Sequence, residues 1–107
     1  MLSLKSGPRG VDNTGLKPEA LLGLTVVAFY FMERGWPCRQ TSGLEGKHGR
    51  NSLHFAGLAF DIGKVGVPSV FLSKVRNDLA ARLGDQFDVV EEGDHWHIEF
   101  QPESRKP

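Results

Sequence analysis

A single cysteine, Cys38, among 107 residues excludes an internal disulfide and any zinc knuckle built from thiolates. Placed between Pro37 and Arg39, it reads as a buried strand residue rather than a nucleophile. Charge of one sign is missing too. Thirteen Lys and Arg stand against thirteen Asp and Glu, so no long-range field gathers nucleic acid or an anionic membrane. The most apolar run, Leu21 to Met32, falls short of the ~20 residues a spanning helix needs, which argues against membrane insertion. No basic, apolar, small-residue leader opens the chain, so it reads as synthesised in the cytoplasm without a signal peptide. Internal repeats and low-complexity tracts are absent. The length supports one domain, residues 1–107, with a monomer as the default.

Thirteen glycines and six prolines punctuate a loop-rich chain. Residues 1–16 hold three glycines and no periodicity and read as an irregular arm. The spacing then predicts a helix from Pro18 to Arg34, apolar nearly all round and therefore buried, with Gly35 as its cap. A strand over 38–42 and a polar glycine-rich loop over 43–51 containing His48 follow. A second strand is expected at about 58–62. Pro68 begins a second helix with Leu72, Val75, Leu79 and Leu83 on one face and Gly84 at its end. Strands over 87–91 and 95–100 form a hairpin around Glu92-Gly93, and 101–107 is a polar tail. The order α-β-β-α-β-β gives an α+β domain, two main helices on a small antiparallel sheet.

The stretch Ser52-Leu53-His54-Phe55-Ala56-Gly57-Leu58-Ala59-Phe60-Asp61 organises the rest. With period two, Leu58, Phe60 and Ile62 face a core, while Gly57, Ala59 and Asp61 form a face of small side chains ending in a carboxylate. His95-Trp96-His97-Ile98-Glu99-Phe100 repeats the design, with Trp96, Ile98 and Phe100 inward and His95, His97 and Glu99 outward. Two strands with one core face and one face of donors point to a metal site on a sheet. His54, Asp61 and His97 supply three zinc ligands, leaving a position for water at which its pKa falls to ~7. Asp94, His95 and Glu91 are candidates for the base that moves the water proton. Glu99 is either a partner orienting a ligating histidine or a solvated charge. Arg39 and Arg50 are surface residues or grips for a substrate carboxylate.

The pattern Ser52-x-His54-x-x-Gly57-x-Ala59-x-Asp61, followed by a terminal histidine in a short hairpin, resembles the zinc D-Ala-D-Ala carboxypeptidase and L-alanyl-D-glutamate endopeptidase family. That family includes many phage and prophage cell-wall lysins. The same run is similar to the corresponding segment of the hedgehog signalling domain, which shares the fold. The resemblance spans about residues 18–102. It implies a hedgehog/DD-peptidase-like fold, zinc held by His54, Asp61 and His97, peptidoglycan stem peptides as substrate, and action on the bacterial cell wall. The family's acid, three residues before the last histidine, falls on Asp94, and members with a His-x-His pair place His95 in the active site. The hedgehog comparison falls instead on Glu91 and His48. Asp94 is the favoured base, with His95 and His48 stabilising the oxyanion. A catalytically silent zinc-containing binding module of this fold is the alternative. One departure stands out: many members carry Ser-Gly-Tyr-Arg before the loop, whereas Ser42-Gly43-Leu44-Glu45 lacks the arginine.

Overall fold

The computed structural model describes residues 2–6, 10–43 and 57–101. Its elements are β1 (Leu2–Leu4), α1 (Pro18–Arg34), β2 (Cys38–Ser42), β3 (Ala59–Gly63), a single 3-10 turn (Ser69–Phe71), α2 (Leu72–Leu83), β4 (Phe87–Glu91) and β5 (His95–Phe100). Pro18 starts α1 where no amide proton is needed, and Gly35 ends it in the left-handed region at φ 71°. There the N–H groups of Gly35 and Trp36 return to the carbonyls of Met32 and Phe31.

The architecture is α+β, a five-stranded sheet in the order β1-β2-β3-β5-β4 with two helices. Leu24, Val27, Tyr30 and Phe31 of α1 and Val75 and Leu79 of α2 form one core with Cys38, Phe60, Ile62, Val89, Trp96 and Ile98 of the strands. Both helices therefore cover the same sheet face. Their mutual contact is stitched by Tyr30, whose hydroxyl donates to Asp78 Oδ2 at 2.6 Å. Cys38 is fully buried, and that burial pushes its thiol up to about 11, which leaves no thiolate for chemistry at neutral pH.

Three expectations are corrected. The sheet is mixed rather than antiparallel, because β1 runs parallel to β2 along its edge. Those residues read from sequence as irregular arm; three residues carry too little periodicity to announce a strand, and the pairing is held by β2 backbone groups, with Lys5 N–H continuing it to Gln40 O. Second, α1 is buried on one face only. Leu22, Phe29 and Met32 are more than half exposed, since a helix lying on a sheet has a single side to bury. Third, α2 begins at Leu72, with a 3-10 turn interposed after Pro68.

The small-residue face has a concrete occupant at Gly57. The arm residues 15–17 lie against it: Lys17 N–H donates to Gly57 O at 2.9 Å, and a Cβ on Gly57 would collide with the Gly15 carbonyl oxygen. Gly57 also sits at φ 75°. Asn13 and the fully buried Gln40 exchange amide hydrogen bonds of 2.8 and 2.7 Å, fastening the same arm to β2.

Gly57→Ala combines a backbone collision with a strained φ and is expected to cost about 2 kcal/mol or more. Gly35→Ala, whose Cβ meets nothing within 4 Å, carries only the left-handed penalty of about 1 kcal/mol. Urea unfolding of the two variants separates the terms; equal losses would overturn the close approach of the arm. A second expectation concerns alkali. Burial and then the bond to Asp78 push Tyr30 from 10 up to about 12. The stabilisation this represents is complete below pH 10 and is lost as pH rises through 12. Tyr30→Phe should lower stability near neutrality by about 1 kcal/mol and flatten the decline between pH 10 and 12, as measured by thermal melts across that range.

Candidate metal and catalytic site

Strand β3 lies between β2 and β5, and its register sets Asp61 directly opposite His97, Gly63 opposite His95 and Ala59 opposite Glu99. Alternation sends Trp96, Ile98 and Phe100 into the core, so His95, His97 and Glu99 share the other face with Asp61. His97 Nδ1 is 2.9 Å from Asp61 Oδ1, and His97 Nε2 is 2.7 Å from Glu99 Oε1. Glu99 is held in turn by Gln101 Nε2, 2.6 Å from Oε2. All three side chains of this contact are less than one-fifth exposed. The hydrogen bond to Asp61, opposed by burial and aided by Glu99, raises His97 to about 9, so the ring carries a proton on each nitrogen at neutral pH. The sequence left Glu99 open between two roles, and its position behind His97 is that of an orienting partner.

The hairpin turn carries the other candidates. Asp94 is almost wholly exposed, and its Oδ1 accepts from His95 Nδ1 at 2.7 Å. That bond lowers the Asp94 carboxyl below its ordinary range. The opposite ring nitrogen, His95 Nε2, faces Asp61 Oδ2 at 3.8 Å and Glu92 Oε1 at 3.7 Å. Asp94 thus meets the Asp61 side of the site through His95. Glu91 lies elsewhere: it is opposite Trp96, on the face the helices cover, with Oε2 3.0 Å from Lys64 Nζ and Oε1 3.4 Å from Ser73 Oγ.

Two residues at this site escaped the sequence reading. Lys64 follows β3 and clamps the turn, with its N–H donating to Asp94 O at 3.0 Å and its ammonium to Glu91, Glu92 O and Gly93 O. Ser42 becomes the neighbour of Asp61 because a bulge between Gln40 and Ser42 shifts the β2 register. Strict alternation would have placed Ser42 with Cys38 and Gln40, and no local pattern announces the bulge. Arg39 is occupied at Leu4 O, 3.3 Å away, tying β2 to β1. His48, Arg50 and His54 lie outside the described residues.

Among the described residues, no group of three or more His, Cys, Asp or Glu is arranged to hold a metal ion. As a pair, Asp61 and His97 have donor chemistry suited to zinc. Ligand atoms stand about 2 Å from that ion, so an imidazole nitrogen and a carboxylate oxygen 2.9 Å apart can share one once the intervening proton leaves. Set against family models, curated proteins and solved structures, the chain finds no match.

Glu99→Gln removes the charge behind His97 while keeping an acceptor. The ring should then titrate below the value of about 9 in metal-free protein, followed by imidazole NMR. An unchanged titration would assign the elevated value to Asp61 alone.

Proposed function

We propose that the protein is a zinc metallopeptidase that hydrolyses peptide bonds in peptidoglycan stem peptides, on a hedgehog/DD-peptidase-like fold. The observation that carries this reading is the contact of Asp61 with His97 across paired strands, with Glu99 set behind the imidazole. The spaced pattern from Ser52 to Asp61 supports it, and His54 is the third ligand in this reading. When bound, zinc supplies Lewis-acid polarisation of a peptide carbonyl and of water.

The chain's own residues do the rest. Glu99 accepts from His97 Nε2 and fixes the ring so that Nδ1 is presented beside Asp61. Asp94 accepts from His95 Nδ1, which leaves Nε2 as the acceptor on the Asp61 side. His95 then takes at Nε2 a proton from the water that attacks the peptide carbonyl and returns it to the amine as the C–N bond breaks, with Asp94 holding the tautomer. The role the resemblance gives to Asp94 is exercised through His95. Glu91, committed to Lys64 and Ser73, takes no part. Glu45 stands where many family members carry arginine, and Arg39 is tied to the β1 backbone. Cleavage within the stem peptide, which needs no grip on a terminal carboxylate, is the favoured mode.

Zinc quantification joined to digestion of purified peptidoglycan, read by mass spectrometry, tests the proposal. Wild-type protein should hold about one zinc per chain and release stem-peptide fragments. His97→Ala should lose both. His95→Ala should keep zinc and lose about 100-fold of the rate. Full rate in that variant would return proton transfer to Asp94. Zinc without fragments from the wild type would identify a catalytically silent binding module, and a chain that takes up no zinc would overturn the site.

A further inference from the structure

On the far side of the sheet from Asp61 and His97, a cavity of about 310 Å³ opens between α1 and α2, lined by Tyr30, Arg34, Lys74, Asp78, Ala81 and Arg82. Three cations meet here, with Asp78 and the neighbouring Glu33 as the carboxylates facing them. Two of the cations are closely paired, Lys74 to Asp78 at 2.9 Å and Arg82 to Glu33 at 2.8 Å. Arg34 is not. Its nitrogens stand 3.6 Å from Glu33 and 3.7 Å from Asp78, beyond hydrogen-bonding distance, and its one hydrogen bond among the described residues is a long 3.3 Å contact to Tyr30 O. A guanidinium has five N–H donors in a fixed fork, so most of this fork is unused.

The fork is nonetheless held in place. The Arg34 guanidinium stacks 3.7 Å from the centroid of the Tyr30 ring, and that of Arg82 lies 5.2 Å from the same centroid. The ring is pinned from below, because the Tyr30 hydroxyl donates to Asp78 at 2.6 Å and the residue is almost fully buried. A rigid platform thus presents an underused guanidinium, a second arginine and an exposed lysine to one solvent-open hollow. Positive charge exceeds negative there, and the geometry favours a planar fork binding a tetrahedral oxyanion.

We propose that this hollow is a binding site for a phosphate group, received by Arg34 with Arg82 and Lys74 closing on it. A phosphate brings between one and two negative charges at neutral pH, and three acceptor oxygens. It therefore answers the surplus charge and the free donors together, where a carboxylate answers only part. The site is independent of zinc and of the peptidase reading, since the sheet and the core separate the two.

The full chain, titrated at low ionic strength with inorganic phosphate and separately with glycerol 3-phosphate, tests this by backbone NMR. Sodium chloride at matched ionic strength is the control. Saturable shifts at residues around 30, 34, 74 and 82 are expected with phosphate, and Arg34→Gln should weaken binding about tenfold. Lys74→Gln, at an exposed side chain that touches the Tyr30 platform only through Asp78, should weaken it severalfold, and an unchanged thermal melt of that variant keeps the test decisive if Arg34→Gln disturbs packing. Tighter binding of glycerol 3-phosphate assigns an organic phosphate, and equal binding assigns the free ion. Absence of saturable binding by either probe, reproduction of the shifts by chloride, or binding unchanged in both variants overturns the proposal.

Discussion

His97 gives one ring nitrogen to Asp61 and the other to Glu99, and this contact exists only in the register that pairs β5 with β3. Because side chains alternate along a strand, a slip of one residue would turn His97 inward and set Trp96 or Ile98 in water. The core forbids that slip: Trp96, Ile98, Phe60 and Ile62 are all fully buried. Hydrophobic burial on one face therefore fixes the donor geometry on the other. Strand β3, hydrogen-bonded on both sides, has no edge along which to shift, which makes the centre of the sheet a stable place for a charged cluster.

This dependence explains why so much was legible in the sequence. Where one face is buried and the other is not, alternation is visible residue by residue, and β2, β4 and β5 fall on the predicted residues. The bounds of α1 follow from Pro18 and Gly35, which act locally. What escaped depends on partners distant in the chain. Strand β1 is three residues long and exists by pairing with β2. The bulge that carries Ser42 to Asp61 is a property of two strands, not one. The apolar surplus on α1 predicts burial all round, yet Leu22, Phe29 and Met32 are exposed; composition counts apolar residues and does not say how many sides a layer can cover.

The small side chains beside Asp61 illustrate a further limit of periodicity. Gly57 and Ala59 mark close approach, which sequence alone assigns equally well to a ligand or to another part of the chain. At Gly57 the approaching atoms are the backbone of residues 15–17. The arm is bound again by Asn13 at Gln40, so residues with no pattern of their own become part of the scaffold that supports β2 and β3.

Strand parity also separates candidates that spacing could not. Counting back from His97 offers Glu91, Asp94 and His95, each a titratable residue within a short hairpin, and the resemblance favours Asp94. Pairing with Trp96 sends Glu91 to the helix face, where Lys64 and Ser73 take its oxygens. Asp94 belongs to the turn and reaches no further than His95 Nδ1. His95 alone is on the donor face, with Nε2 toward Asp61. Asp94, a solvated carboxylate held below its ordinary range, accepts from His95 Nδ1 from outside the half-buried cluster of Asp61, His97 and Glu99. Lys64 completes the arrangement by tying the end of β3 to the turn through Asp94 O, Glu92 O and Glu91. The end of the strand that carries Asp61 and the turn that leads into His95 are thereby fastened by Lys64 in addition to the pairing of β3 with β5, so the separation of Asp61 and His95 is set by the scaffold.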